Sequence, residues 1–215
     1  MLSDIKACLF DMDGTLIDSM GIWYDVDVEY FKRYNIELPP TYQKDIEGLC
    51  MSEIARYTKS RFPFPRTEEE MIEDWNELAF EFYAEHVGYK EGARDFLVWC
   101  KNNGIKTGIA TSNSYTLYKA VADRLGIAEL VDEVVTSEDV NCGKPNPECY
   151  LKVAAKLGVE PEKCIVFEDL CLGLQAGKNA GMRTCAVWDS YSDMQDSEKH
   201  IIGDYYIDSF NDIAI

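Results

Sequence analysis

The chain predicts an α/β fold, with a parallel sheet covered on both faces by helices and a helical insertion after the first strand. Three observations carry this expectation. An apolar run, Ile5-Lys6-Ala7-Cys8-Leu9-Phe10, stops at Asp11-Met12-Asp13-Gly14-Thr15, as a buried strand does when it delivers polar groups at its carboxyl end. From Tyr89 onward, short apolar segments alternate with helical patterns of the length that parallel crossovers need. Between these regions, residues 16–88 show helical periodicity and no convincing strand. The expected organisation is a core of residues 1–15 and 89–215 and a helical cap of residues 16–88, joined by short hinges near 15–19 and 86–92.

Within the insertion, Trp23, Val26, Tyr30 and Tyr34 recur at helical spacing, and the run stops near Asn35 and Pro39-Pro40. A second helical piece covers residues 41–62, broken by a loop at Gly48, with Ser52 as the expected N-cap after it. Pro63 and Pro65 interrupt the chain. Thr67-Glu68-Glu69-Glu70 then matches a capping box, and Met71, Trp75, Leu78 and Phe82 mark the buried stripe of the following helix. Beyond Tyr89 the pattern predicts helices over 92–103, 115–125, 147–157 and 172–180, the last three followed by Gly126, Gly158 and Gly181. Strands are predicted over 105–110, 133–136, 164–167, 183–187 and 205–207.

With 47% hydrophobic residues in 215, the chain can bury a sizeable core, and disorder is not expected. The formal net charge of −18, from 39 acidic and 21 basic residues, repels nucleic acid and anionic membrane surfaces and excludes both as expected partners. It repels a phosphorylated substrate as well, so a phosphate site needs local positive charge from a metal, a lysine or backbone amides. Eight cysteines, at 8, 50, 100, 142, 149, 164, 171 and 185, form no C-x-x-C pair. They read as reduced small hydrophobes rather than zinc ligands or disulfides. The first strand begins within a few residues of Met1, leaving no room for a signal peptide, and no apolar stretch approaches a membrane span. A cytoplasmic protein is expected.

The chemistry-bearing residues fall at strand ends and helix starts. Asp11 and Asp13, one apart on a glycine turn, can set a nucleophilic carboxylate beside a proton carrier, and with a backbone carbonyl can hold a hard cation such as Mg2+. A calcium loop of the helix–loop–helix kind fails on spacing, because its twelfth position would be Ile22 rather than a bidentate Glu. Thr111-Ser112-Asn113 offers hydroxyls, an amide and free N–H groups at the mouth of a helix, suited to an anion and equally to capping. Gly143-Lys144-Pro145 places one lysine at a helix entry, with Asn146 and Pro147 as expected N-cap and first helical residue. Glu168-Asp169 puts two carboxylates directly after a buried strand, a costly pairing without a cation.

In this order and spacing the motifs resemble the haloacid dehalogenase superfamily, and within it the β-phosphoglucomutase-like phosphatases with a helical cap. The resemblance runs from Phe10-Asp11-Met12-Asp13-Gly14-Thr15-Leu16 through Gly143-Lys144-Pro145 and Glu168-Asp169 to Asp204-Tyr205-Tyr206-Ile207-Asp208-Ser209-Phe210. It implies a Rossmann-like core and a Mg2+-dependent phosphomonoester hydrolase of a small phosphorylated metabolite, a sugar phosphate being the expected class. By the same resemblance, Asp11 takes the phosphoryl group as an aspartyl phosphate, and Asp13 protonates the leaving oxygen and then activates water. Thr111, Ser112 and Asn113 bind the phosphoryl group, and Lys144 neutralises it together with Asp11. Mg2+ is implied at Asp11, the Asp13 carbonyl and Asp169, with Glu168 as a ligand or an acceptor for a metal-bound water.

Several positions bear on the subgroup. Asp13 matches neither the dehalogenases, which lack this acid, nor the phosphonate hydrolases, whose cap carries a Schiff-base lysine; Lys44 and Lys59 read as solvated helix charges. A true β-phosphoglucomutase carries a cap histidine twelve residues after the nucleophile, where this chain has Trp23. The only histidines are His86 and His200. Hydrolysis is therefore expected, with phosphoryl transfer between sugar positions as the alternative. Trp23 reads as a core residue of the first cap helix or as a wall of the substrate pocket. The Gly48-Leu49-Cys50-Met51 turn is a candidate specificity loop, and the acidic chain without heptads is expected to be a monomer.

Overall fold

In the computed structural model, which describes residues 1–214, six strands form one sheet. They are β1 (Ala7–Phe10), β2 (Lys106–Ala110), β3 (Glu133–Val135), β4 (Cys164–Glu168), β5 (Arg183–Val187) and β6 (Tyr205–Ile207). Their order is β3-β2-β1-β4-β5-β6, and every neighbouring pair is parallel. The chain winds to one side of β1 through β2 and β3 and to the other through β4, β5 and β6, so β1 lies at the switch point where such sheets open a crevice. Register brings the residues that follow these strands together there: Phe10 stands level with Ile109 on one side and Phe167 on the other.

All four residues of β1 are fully buried, as a central parallel strand requires. Their side chains alternate between two layers. Cys8 and Phe10 join Phe96, Leu97, Leu117, Phe167 and Phe210, where the Phe10 and Phe167 rings stack at 5.0 Å. Ala7 and Leu9 face Tyr150, Val153, Ala154 and Ala176 on the opposite side. The helices that supply these layers are α5 (Ala93–Asn102) and α6 (Tyr115–Leu125) on the first, and α7 (Glu148–Leu157) and α8 (Cys171–Asn179) on the second. A ninth helix, Asp196–Ile202, packs on α8 and β6.

The insertion holds α1 (Met20–Arg33), α2 (Tyr42–Ile46), α3 (Met51–Arg61) and α4 (Glu68–Glu85). An aromatic cluster ties them together, with Tyr30 stacked on Phe64 at 5.0 Å and edge-on to Trp75 at 5.5 Å. The four helices rest on the core through α4, which packs along α6. The two connecting segments run side by side: Ile17 bridges Tyr89, the Asp18 N–H donates to the Gly88 carbonyl at 3.0 Å and the Lys90 N–H to the Leu16 carbonyl at 2.9 Å.

The expected elements 115–125, 183–187 and 205–207 coincide with the observed ones, and the remaining boundaries move by one or two residues. Three local expectations change. The cap of α3 is Cys50 rather than Ser52, because the Glu53 carboxylate reaches back to the Cys50 N–H at 3.0 Å. Pro147 rather than Asn146 is the cap of α7, although Asn146 Oδ1 still accepts the Glu148 N–H at 2.9 Å. The buried stripe of α4 is Met71, Trp75, Ala79 and Tyr83; Leu78 is half-buried and Phe82 is 41% exposed. The capping box at Thr67 and Glu70 forms as expected. All eight cysteines are free, and all but Cys142 are buried. No helix among the described residues is long and apolar enough to cross a membrane.

One buried acid of the insertion stands outside the site. Asp27, on α1, is 5% exposed and accepts a hydrogen bond from Gln43. Burial pushes its carboxyl up to about 7, and the Gln43 amide only partly offsets this. The folded chain therefore holds this proton more tightly than the unfolded one, and the associated stability is lost as pH rises through about 7. Against an unfolded carboxyl near about 3.9, the linked free energy is about 4 kcal/mol at most. Asp27→Asn is expected to raise unfolding stability at pH 8 by about 1–3 kcal/mol and to lose that advantage near pH 4. Denaturant midpoints of both chains across this range are the check; a variant less stable at pH 8 would contradict it.

Candidate active site

The site lies beyond the carboxyl ends of β1, β2 and β4. Asp11 follows β1, and its N–H donates to the Phe167 carbonyl at 3.0 Å, which continues the ladder one step past the strand. Its carboxylate, 7% exposed, accepts the Lys144 ammonium at 2.5 Å. The same ammonium donates to Glu168 Oε1 at 2.5 Å, so one buried lysine clamps two buried acids. Glu168 Oε1 also accepts the Tyr150 hydroxyl at 2.9 Å, and its Oε2 accepts the Leu170 N–H at 3.2 Å. Gly173 makes room for this carboxylate: a Cβ there would lie 1.9 Å from it.

Asp169, the next residue, is wholly buried. Its Oδ1 accepts the Thr15 hydroxyl at 3.1 Å, while its Oδ2 is buried without a hydrogen-bond partner. Gly14 makes the turn over it at φ +77°, where a Cβ would fall 2.5 Å from Asp169 Oδ2; both the left-handed backbone and the close approach demand glycine.

Asp13 is held in a different hydrogen-bond network. Its Oδ1 accepts the Ser19 hydroxyl at 2.6 Å and the Tyr83 hydroxyl; its Oδ2 accepts the Asn113 amide at 2.7 Å and, at 3.4 Å, the Thr111 hydroxyl. Thr111 Oγ1 in turn accepts the Asn113 N–H at 3.0 Å, so the turn after β2 is internally ordered. Ser112 is half-buried on that turn, and Ser114 caps α6 by accepting the Leu117 N–H at 3.4 Å. The turn thus leads into the N-terminus of α6, where an anion is favoured.

Electrostatics define what the site lacks. Burial pushes the Asp11 carboxyl up to about 8; Lys144 opposes this, while Glu168 and Asp13 add to it. Burial, then the charges of Glu168 and Asp11, hold the Asp169 carboxyl well above the usual range. Asp13 is raised by burial, against the pull of its Ser19 and Tyr83 hydrogen bonds. Burial alone would lower the Lys144 ammonium, but Asp11 and Glu168 outweigh it and hold it above its ordinary value. One ammonium therefore faces three carboxylates, Asp11, Glu168 and Asp169, whose oxygens lie within 4.8 Å of one another. The charge deficit and the unpartnered Asp169 Oδ2 together fit a divalent cation. Glu168 has least to give it, since three donors already engage its oxygens.

The remaining expectations divide. Trp23, half-buried on α1, donates its indole N–H to the Tyr83 hydroxyl at 2.8 Å, so it touches the site through Tyr83. The Gly48 turn abuts the lysine loop, with a Gly48 Cβ falling 2.9 Å from the Lys144 carbonyl, and Glu53 accepts the Gly143 N–H at 2.8 Å. Lys44 is exposed, and Lys59 donates to the Phe64 and Arg66 carbonyls. His86 is exposed beside Phe82, and His200 stacks on Tyr206. Sequence reasoning missed Ser19, Tyr83 and Tyr150. A tyrosine at a buried stripe position was the available signal for Tyr83, because its hydroxyl needs a partner where phenylalanine's ring does not.

A lysine-clamped aspartate, the turn at the head of α6 and an under-neutralised acid cluster thus meet at the switch point of a parallel sheet, beyond the ends of its central strands. The chain belongs to the haloacid dehalogenase-like hydrolases, whose family model matches residues 8–187. It is 26% identical over 212 residues to hexitol phosphatase B of Escherichia coli K12, covering 98% of this chain and 95% of that one. It is 32% identical over 191 residues to the putative phosphatase YhcW of Bacillus subtilis, covering 85% and 83%. The β-phosphoglucomutase of Clostridium difficile has the same fold, with a TM-score of 0.82 over 98% of this chain and 94% of that one at 23% identity.

Proposed function

We propose that this hydrolase is a Mg2+-dependent phosphatase of small phosphorylated metabolites, with a sugar or sugar-alcohol phosphate as the substrate class. The observation that carries the reading is the buried Lys144, shared by Asp11 and Glu168, next to an Asp169 oxygen with no partner. Such a site is short of positive charge until a divalent ion and a phosphoryl group complete it. The name of hexitol phosphatase B supports the substrate class, and that of the putative phosphatase YhcW supports phosphatase activity without a substrate.

Asp11, Asp169 and the Asp13 carbonyl are the groups that would hold Mg2+, with Glu168 closing the acidic shell. When bound, the ion would neutralise phosphoryl and carboxylate charge. Lys144 favours the ionised form of Asp11 against burial and orients it, and adds positive charge where the transferring oxygens gather. Asp11 attacks phosphorus, so its C–O–P bond forms as the substrate's P–O bond breaks. Asp13 gives the leaving oxygen its proton. Asp13 then takes a proton from water, whose oxygen bonds to phosphorus as the Asp11–phosphorus bond breaks. Thr111 and Ser112 receive the phosphoryl oxygens at the head of α6, while Asn113, whose N–H groups already serve Thr111, Tyr83 and Asp13, orders the turn that presents them. The helical insertion acts as the cap that excludes bulk water during the first step. Trp23 stands where a mutase would need a histidine, and its one polar hydrogen is committed to Tyr83; this favours release of phosphate over its return to a sugar.

The test is phosphate release from a panel of sugar, sugar-alcohol, nucleotide and carboxylate monophosphates, with Mg2+ and with the metal chelated. Release that needs the metal and is largest for a sugar or sugar-alcohol ester is the expected result. Absence of release from all of them, with β-glucose 1-phosphate isomerised instead, would replace hydrolysis by the mutase alternative.

A further inference from the structure

Tyr83 brings the insertion into bonding contact with Asp13. It is fully buried on α4, and its hydroxyl meets the Trp23 indole nitrogen at 2.8 Å, the Asn113 amide nitrogen at 3.0 Å and Asp13 Oδ1. The directions of these bonds are forced. An indole N–H only donates, and the Asn113 amide uses its other hydrogen on Asp13 Oδ2 at 2.7 Å. Together they fill both lone pairs of the phenolic oxygen, leaving its single proton to go to Asp13 Oδ1. Ser19 donates to the same Oδ1 at 2.6 Å, so that oxygen carries two donors. Oδ2 accepts one short bond, from Asn113, and a long one of 3.4 Å from Thr111. Oδ2 therefore keeps capacity for another partner and lies on the side of the Thr111–Asn113 turn.

We infer that Tyr83 is a positioning residue for Asp13: it pins Oδ1, oriented by Trp23 and Asn113, and so makes Oδ2 the oxygen that gives and takes the reaction's proton. The inference rests on the reading of Asp13 as the acid and base of the phosphatase. In the first step Oδ2 loses its proton to the leaving oxygen as the Asp11–phosphorus bond forms and the ester P–O bond breaks. In the second, Oδ2 takes a proton from water as the water oxygen bonds to phosphorus and Asp11 departs. Throughout, the phenol stays protonated and only holds Oδ1. Because Tyr83 and Trp23 belong to α4 and α1, the aim of the proton carrier is set from the insertion, and proton transfer is tied to the insertion's seat on the core.

Leaving-group dependence separates positioning from mere structural support. An alkyl ester needs a proton on its departing oxygen, whereas 4-nitrophenolate departs without one. Tyr83→Phe, rapidly mixed with glucose 6-phosphate and with 4-nitrophenyl phosphate in the presence of Mg2+, is the experiment. The expected result is a first-step rate about 10–100-fold lower for the alkyl ester, with its KM and the nitrophenolate burst both within about threefold of the unmodified chain. Steady-state turnover of both esters falls, since the second step also uses Asp13. Trp23→Phe, which removes a donor from a half-buried position and keeps the Tyr83 hydroxyl, is expected to shift the same ratio in the same direction by less. It carries the test if Tyr83→Phe does not fold. Equal loss in both bursts, or no loss in either, overturns the Tyr83 assignment while leaving the phosphatase reading intact. An unmodified chain that cleaves neither these two esters nor any other ester of the panel overturns both.

Discussion

Asp11→Asn is expected to yield a folded chain whose turnover falls by about 10³-fold or more, because an amide oxygen cannot supply the nucleophilic electron pair at a comparable rate. The fold should survive for an electrostatic reason. Asp11 is one of three buried carboxylates around one lysine, and the charges of Glu168 and Asp13 already oppose its ionisation. The amide removes that repulsion, keeps an acceptor for Lys144 and leaves Glu168 to hold the ammonium. In metal-free buffer the variant should melt no lower than the unmodified chain. Phosphate release and thermal unfolding, measured on the same preparation, read the two halves of this prediction. Substantial remaining turnover would remove Asp11 from the role of nucleophile; a large drop in melting temperature would mean that its charge supports the fold.

Asp169→Asn carries the second large effect, and it has a readout that needs no turnover. In the unmodified chain, Mg2+ at about 100 times its dissociation constant should stabilise the fold by about 2.7 kcal/mol, since binding to the folded state alone shifts unfolding by mass action. Asp169 Oδ2 is the unpartnered oxygen of the acid cluster, so the Asn variant should lose most of that stabilisation. Its turnover should fall by about 10²–10³-fold. Chelation of the unmodified chain should lower turnover comparably, and added Mg2+ should restore it. Melting curves with and without Mg2+ decide the matter. Equal stabilisation of both chains would move the cation away from Asp169.

The two predictions differ in how much of their basis was legible in the chain. Asp11 and Asp169 announce themselves as acids directly after apolar strands, and strand-end placement follows from local hydropathy alone. The alternation beyond Tyr89 carried the parallel sheet for a similar reason: each element's pattern is local, and right-handed crossovers leave few ways to assemble them. The errors lie where burial depends on which neighbour covers a helix face. On α4, Leu78 and Phe82 satisfy helical spacing as well as Ala79 and Tyr83 do, and only the seat of α4 on α6 selects the second pair. Ser52 is a better cap by residue type than Cys50, yet Glu53 placed the cap two residues earlier.

The sheet, the place of the insertion and the motifs at the strand ends could be read from the chain alone, because hydropathy period, turn chemistry and order along the chain are written in adjacent residues. The chain also carried the family resemblance, which needs only those motifs in that order. The division of labour among the acids was decided by the tertiary structure. Residue type cannot say that Lys144 is shared with Glu168, that Asp169 keeps an oxygen free, or that Tyr83 reaches Asp13 across seventy positions of chain. A carboxylate's role depends on which of its lone pairs are already filled, and the donors that fill them arrive from distant segments only when the sheet closes its register and α4 settles on α6.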